Sequence, residues 1–316
     1  MRFLPLIAVA LWIPAWAQEN PVPSNAPADG ARPASNSSPA PPALANTGQP
    51  ILLPFQCASD DMQWAGLSCS EDQPCPVYLE LAAVASAGGK VFAAGNIHSE
   101  TITLYSVLLA SADGGKTWQE GHRRIRGAGL DYLQFSGSEK GWAGGESLSP
   151  LPQDPFLLIT SDGGETWAER AIFDENRIGS IQRLWFRSKT EGELIFDRGE
   201  GSTGGRYELY ETPNGGETWM VREESDKPIR VAGAPDPDPG WRVRADGATK
   251  SFRLESRQGS QWRPVAAFAV NIGACKPTPV SEAAPPDEPA AAPQETAPPM
   301  ATPVPQAPPS LKNPRR

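Results

Sequence analysis

The phrase SADGGKTW at 111–118 returns as TSDGGETW at 160–167 and as TPNGGETW at 212–219. The closing tryptophans, Trp118, Trp167 and Trp219, recur about every 50 residues, and a worn fourth copy, ESRQGSQW, stands at 255–262. Self-similarity at that period is the signature of a propeller or another repeat array. A catalytic motif does not normally occur three times at near-constant spacing in one chain, so the phrase reads as a structural device.

Each position in the phrase has a physical task. The glycine pairs Gly114–Gly115, Gly163–Gly164 and Gly215–Gly216 supply positive φ at a tight turn without a Cβ penalty. Asp113 and Asp162 suit acceptance of backbone N–H groups across their own turn. Asn214 makes the same turn but cannot perform a carboxylate's acid–base work, which again favours structure over chemistry. Ser111, Thr160 and Thr212 open the three phrases. Thr117, Thr166 and Thr218 suit the returning strand, and the tryptophans bury large apolar area between neighbouring sheets.

The segments between the phrases read as short strands separated by turns, with no helical periodicity. The first unit supplies YLELAAVAS, GKVFAAG and LYSVLLASADGGKTWQEG; the second LDYLQFS, GWAGGE and FLLITSDGGETWAER. The third has IQRLWFRS, GELIFD and RYELYETPNGGETWMVRE, and the fourth KPIRVAG, GWRVRA, SFRLES and QWRPVAAFAV. About four strands per unit is the content of one blade. The expected fold is an all-β propeller of four blades over 51–275, or five if 51–75 contributes strands.

The ends differ in kind. Arg2, an apolar run and Ala15-Trp16-Ala17 have the layout of a secretory signal peptide over 1–17, with cleavage near Ala17. Residues 18–50 and 276–316 hold much of the 35-proline total and read as Pro/Ala-rich linker and tail. No later stretch approaches the length of a transmembrane helix, so the expectation is an exported chain, periplasmic or secreted. Four cysteines suit that compartment. Of three possible pairings, Cys69 with Cys75 and Cys57 with Cys275 is favoured, the second joining the two ends of the folded region. Zinc is disfavoured by ligand spacing, calcium by the missing DxDxDG ligand density, and no cofactor is expected. A net charge of −9 argues against nucleic acid as a partner.

The repeated phrases resemble the Asp-box, or BNR repeat, Ser-x-Asp-Gly-Gly-x-Thr-Trp. Families with this repeat include sialidases, other glycoside hydrolases, sortilin-like receptors and the Ycf48-like photosystem II assembly factors. FSGSEKGWAGGE at 135–146 looks most like the last group, whose members are exported propellers that bind and help assemble other proteins. The resemblance implies a non-catalytic binding or assembly module for an envelope or secreted protein. Arg123, Arg124 and Arg126, with the loop SLSPLPQDP at 147–155, are the candidate contact residues. The alternatives are a carbohydrate-binding or sialidase-like propeller and a structural envelope protein. Against hydrolysis, Arg124-Ile125 is followed by Arg126 where the sialidase phrase has proline. The Tyr and Glu residues of RYELYE follow strand alternation, Tyr207 and Leu209 on one face, Glu208 and Tyr210 on the other.

Overall fold

The structure, a computed structural model, describes residues 43–148, 150–231 and 238–277. The stretch 1–17 read as a signal segment, most of 18–50 read as a linker and nearly all of 276–316 read as a tail lie outside the described residues. The strands β1 (Leu44–Ala45) and β2 (Ile51–Leu53) precede a short helix, α1 (Ser59–Trp64). Then come β3 (Tyr78–Ala87), β4 (Lys90–His98), β5 (Thr103–Ser111) and β6 (Thr117–Glu120). The second set is β7 (Ala128–Ser136), β8 (Lys140–Leu148), β9 (Pro152–Thr160) and β10 (Ala168–Ala171). The third is β11 (Ser180–Phe186), β12 (Gly192–Asp197), β13 (Tyr207–Thr212) and β14 (Met220–Ser225). The last is β15 (Trp241–Asp246), β16 (Ser251–Gln258) and β17 (Gln261–Val270), before a turn of 3₁₀ helix at Ile272–Ala274.

These strands form four sheets, and the fold is an all-β propeller of four blades. Blades 1 to 3 are antiparallel meanders, β3–β6, β7–β10 and β11–β14. All three repeated phrases turn between the third and fourth strands of their blade. In the first, Gly115 N donates to Ser111 Oγ at 2.8 Å, and Thr117 donates to Asp113 through both its amide (2.9 Å) and its hydroxyl (2.7 Å). The second repeats this scheme with Thr160, Asp162 and Thr166. In the third, Asn214 Oδ1 accepts the Thr218 amide at 3.0 Å while its Nδ2 donates to the Thr218 hydroxyl at 2.9 Å. Asn therefore closes the turn with one hydrogen bond reversed, as the sequence reading requires.

The second glycine of each phrase is where blades meet. A Cβ on Gly164 would stand 2.4 Å from Phe92 Cζ of blade 1, and one on Gly216 2.7 Å from Leu157 of blade 2. On Gly115 it would stand 2.4 Å from Val265 of blade 4. Each turn is a wedge seated on the preceding blade, and the seat admits no side chain. Aromatic rings continue the contacts. Phe92 stacks on Phe135 at 4.8 Å, Trp142 on Phe186 at 3.8 Å, and Trp118 meets Phe268 edge-on at 5.0 Å.

Blade 4 departs from the sequence reading. The Asp238 carboxylate, just before β15, accepts from the amide and hydroxyl of Ser86 near the end of β3. The far end of β15 lies beside Val77–Leu79 at the start of β3, so β15 runs opposite to β3. The strands β15, β16 and β17 thus correspond to the second, third and fourth strands of the other blades. Lys227–Val231, read as a first strand, is not one, and 232–237 lie outside the described residues. Ile229 and Val231 pack instead on Trp185, Ile195 and Leu209 of blade 3. The fourth strand of the sheet is β2, parallel to β17 with Ile51 opposite Phe268, so 51–53 completes a blade rather than starting a fifth. The worn phrase does form the β16–β17 turn. Trp262, however, lies under Arg242 with 4.4 Å from guanidinium to ring, and a Cβ on Gly259 would meet nothing.

Pairing also begins before residue 51. Leu44–Ala45 extends blade 1 against β6, and Asn46 Nδ2 donates to Gly115 O (2.8 Å) and Val265 O (2.7 Å), tying blades 1 and 4. Two disulfides, Cys57–Cys275 and Cys69–Cys75, clip the same region, in the pairing that the sequence favours. The wedge geometry makes a direct prediction. Gly164→Ala must place a methyl against Phe92 at φ +81° and should cost about 2–4 kcal/mol in denaturant unfolding. Gly114→Ala, at φ +72° with open space, should cost only about 1 kcal/mol.

Candidate functional site

The turns of the repeated phrases occupy one end of the propeller. The crossovers between blades and the hairpins joining second to third strands occupy the other, which is the usual place for recognition loops. On this rim lie 99–102, 121–127, 150–152, 172–179 and 198–206. His98, at the end of β4, places its Nδ1 2.8 Å from Ser99 O, at the entry of the 99–102 loop. The Ser99 hydroxyl closes that loop on Ile102.

The three candidate arginines share the 121–127 crossover but do not form one open basic patch. Arg123 is the most exposed of the three and faces Glu169 at 3.2 Å, and Arg126 is exposed as well. Arg124 is mostly covered. It donates to Glu120 (2.6 Å) and Pro54 O (2.9 Å) and lies 5.5 Å from the Phe55 ring centre. Arg126 pairs with the buried Asp61 of α1 at 2.8 Å, while the Tyr105 hydroxyl donates to the same carboxylate. Burial foremost, with Asp61 adding to it, raises the Tyr105 phenol above its ordinary value. Sequence reasoning missed α1, because six residues are too few to reveal a helical period.

The neighbouring rim, between blades 2 and 3, is built differently. The 147–155 loop meets 172–179 through Gly179 N to Pro152 O (2.8 Å) and Asp154 N to Arg177 O (2.8 Å); Ser149 lies outside the described residues. Beneath this junction Arg177 lies 4.6 Å from the Phe173 ring centre and donates to Glu208 (2.8 Å) and the Tyr210 hydroxyl (2.5 Å). The Tyr210 hydroxyl in turn donates to Glu208 at 2.6 Å, and Arg198 approaches the other carboxylate oxygen at 3.3 Å. Glu208 and Tyr210 share a face, as strand alternation requires. Both are buried and every oxygen of the pair is engaged, so the knot braces the rim and offers no free nucleophile. Above it Leu151 and Ile178 are 56% and 63% exposed.

Blades 2 and 3 are further joined by side-chain bonds to backbone that no local pattern reveals. The Gln134 amide accepts from Phe186 N (2.8 Å) and donates to Phe186 O (2.7 Å). Tyr132 donates to Ile181 O, and the buried Glu146 accepts from Ile181 N, both at 2.8 Å. Desolvation, with the charge of Asp131 adding to it, pushes the Glu146 carboxyl up to about 7. Asp131 meets solvent inside the axial channel yet has protein on most sides, which also raises it, with Glu80 contributing. That channel holds a pocket of about 210 Å³ lined from the inner strands of all four blades, including Ala83, Asp131, Leu184 and Trp241. Among the described residues no group of three or more His, Cys, Asp or Glu is placed to hold a metal ion. No described helix is long and apolar enough to cross a membrane.

No protein-family profile matches the chain, and no curated protein matches it. Solved structures do. A YCF48 bound to D1 peptide is 19% identical with a TM-score of 0.35, over 62% of this chain and 59% of that one. A GH74 xyloglucanase from Xanthomonas campestris is 14% identical at TM-score 0.33, over 60% of this chain and 28% of its own. A YCF48 from Cyanidioschyzon merolae is 12% identical at TM-score 0.31, over 65% and 52%. The chain thus spans about three fifths or less of each of these three structures. The four sheets, not these likenesses, define the fold.

Two outcomes follow from the site geometry. A carboxyl raised from 4.5 to about 7 on folding binds more protons in the folded state, so its contribution to stability falls as pH rises from 4.5 to 7. Glu146→Gln, which keeps an acceptor for Ile181 N, should flatten that slope and stabilise the protein by about 1–3 kcal/mol at pH 8. Separately, Arg124→Ala should lower stability by about 1–2 kcal/mol, whereas Arg123→Ala should leave it within about 0.5 kcal/mol, by urea titration.

Proposed function

We propose that this protein is an exported, non-catalytic binding module, the repeated phrases being Asp-boxes, that recognises a segment of another envelope protein through its rim. The observation that carries the reading is the pair Leu151 and Ile178, exposed together on a rim that Arg177, Glu208 and Tyr210 hold rigid. Exposed aliphatic side chains on a braced support suit a protein contact. Arg123 extends the same rim with an accessible charge, and in this reading it steers an acidic partner while Arg124 and Arg126 hold the loop.

The domain plan that goes with this function is a cleaved signal segment over 1–17, a linker, the propeller, and a Pro/Ala-rich tail. The disulfides and the absence of a long apolar helix among the described residues are compatible with export. Sialidase-like chemistry is not favoured, because Glu208 and Tyr210 are buried and mutually bonded.

The test uses the mature chain as bait on its own envelope extract. Leu151→Ser combined with Ile178→Ser should lose the protein that the unaltered chain retains, while its unfolding midpoint stays the same. Arg123→Ala should weaken capture mainly at low salt. Undiminished capture by the double variant would refute the rim as the contact.

A further inference from the structure

A second cavity lies across the seam where blade 4 meets blade 1, on the rim side. It is an open cleft of about 300 Å³. Val77 just before β3, Leu79 within it, Val270 at the end of β17, Ile272 of the 3₁₀ turn and Phe252 of β16 give it an apolar wall. Tyr78, His98, Lys250, Ser251 and the carboxylate of Asp246 supply its polar groups.

Ser251 is bonded to Thr249 and Asp246 is paired with Arg253, but Tyr78, His98 and Lys250 each keep an uncommitted polar atom. The rings of Tyr78 and His98 stand 5.7 Å apart. The His98 Nδ1 is spent on Ser99 O, which leaves Nε2 without a partner among the described residues, and the Tyr78 hydroxyl has none either. Lys250 is exposed at the lip and forms no ion pair among the described residues, whereas the neighbouring Asp246 is answered by Arg253 at 3.8 Å. The backbone singles out Lys250 as well. It sits at φ +49° in the β15–β16 turn, a region that side chains other than glycine and asparagine enter at a cost, and the flanking Thr249 and Ser251 hydroxyls lie 2.7 Å apart. Glycine would fit that turn with less strain, yet the position carries a cation.

We infer that this cavity binds a small aromatic or aliphatic monocarboxylate. The apolar wall would cover the body of the ligand, while Lys250 and the Tyr78 hydroxyl would hold its carboxylate. A cleft with an apolar wall and a few convergent polar groups is the usual composition of a small-ligand site. The lining comes from both blades, so occupancy also ties the seam, and ligand binding should raise the unfolding temperature.

The experiment uses the whole folded chain with phenylacetate as probe and phenylacetamide as its uncharged counterpart, read by ligand-observed NMR and thermal unfolding. Phenylacetate should bind and raise the midpoint, and phenylacetamide should bind at least about ten-fold more weakly. Lys250→Gly, which suits φ +49°, should unfold no earlier than the unaltered protein and should weaken phenylacetate about ten-fold or more. Tyr78→Phe should weaken it by a smaller factor. Equal binding of the acid and the amide, undiminished binding by the Lys250→Gly protein, or no binding by the unaltered chain would each overturn the inference.

Discussion

Everything in this propeller depends on a place where a side chain is forbidden. The second glycine of each repeated phrase presses its backbone against a ring or branched carbon of the preceding blade, closer than any Cβ permits. The carboxylate or amide ahead of it holds the turn in shape, and the indole after it fills the space beside the contact. In the second phrase the Asp162 carboxyl is lowered to about 2, chiefly because the Thr166 hydroxyl donates to it. The turn thus keeps its charge and its hydrogen bonds throughout the neutral range. Wedge, ring and backbone bond recur at three of the four seams between blades, and there the blades behave as one core.

The seam between blades 3 and 4 obeys a different rule. Phe92 and Trp142 occupy the strand position that faces the next wedge, and in blade 3 that position is Glu193. Glu193 is buried and paired with Arg187 at 2.6 Å and Arg222 at 3.3 Å, and no glycine wedge comes to meet it. Asp197, at the strand position of Asn96, is likewise matched within its own blade, by Arg206 at 2.8 Å. Ion pairs within blade 3 take the place of contacts between blades. Closure is carried instead by the N-terminal strands, Asn46 and the Cys57–Cys275 bond, all at the blade 1–blade 4 side.

The features legible in the sequence are those set by local chemistry. Twelve strands of blades 1 to 3 follow from alternation and turn residues, and the three turns follow from glycine pairs beside a carboxylate or amide. Of the three cysteine pairings the sequence allows, the one it favours, which joins the two ends of the folded region, is the one that forms. What stayed hidden depends on neighbours distant in the chain. KPIRVAG has a strand-like pattern, but Ile229 and Val231 are drawn onto the face of Trp185. Leu52 and Leu53 gave no hint of a parallel partner, and nothing near Gln134 points to Phe186, 52 residues away. The arginine cluster was visible as charge, but its carboxylate partners lie on three separate segments, α1, β6 and β10, which only the fold brings to it.

In the proposed role the rim loops make the contact, and the packing at the seams sets where those loops stand. The most direct test of that packing is native-state hydrogen exchange at the amides that cross the seams or lock the wedges. The informative set is Gly115, Gly164 and Gly216, bonded to side-chain hydroxyls, with Ile181 and Phe186, bonded to Glu146 and Gln134. The account predicts that all five exchange only through global unfolding, with the same free energy as the central amides of β4 and β8. Exchange of these five through cheaper local openings, while β4 and β8 stay protected, would mean that the blades are independent sheets and that the glycine wedges do not hold them together.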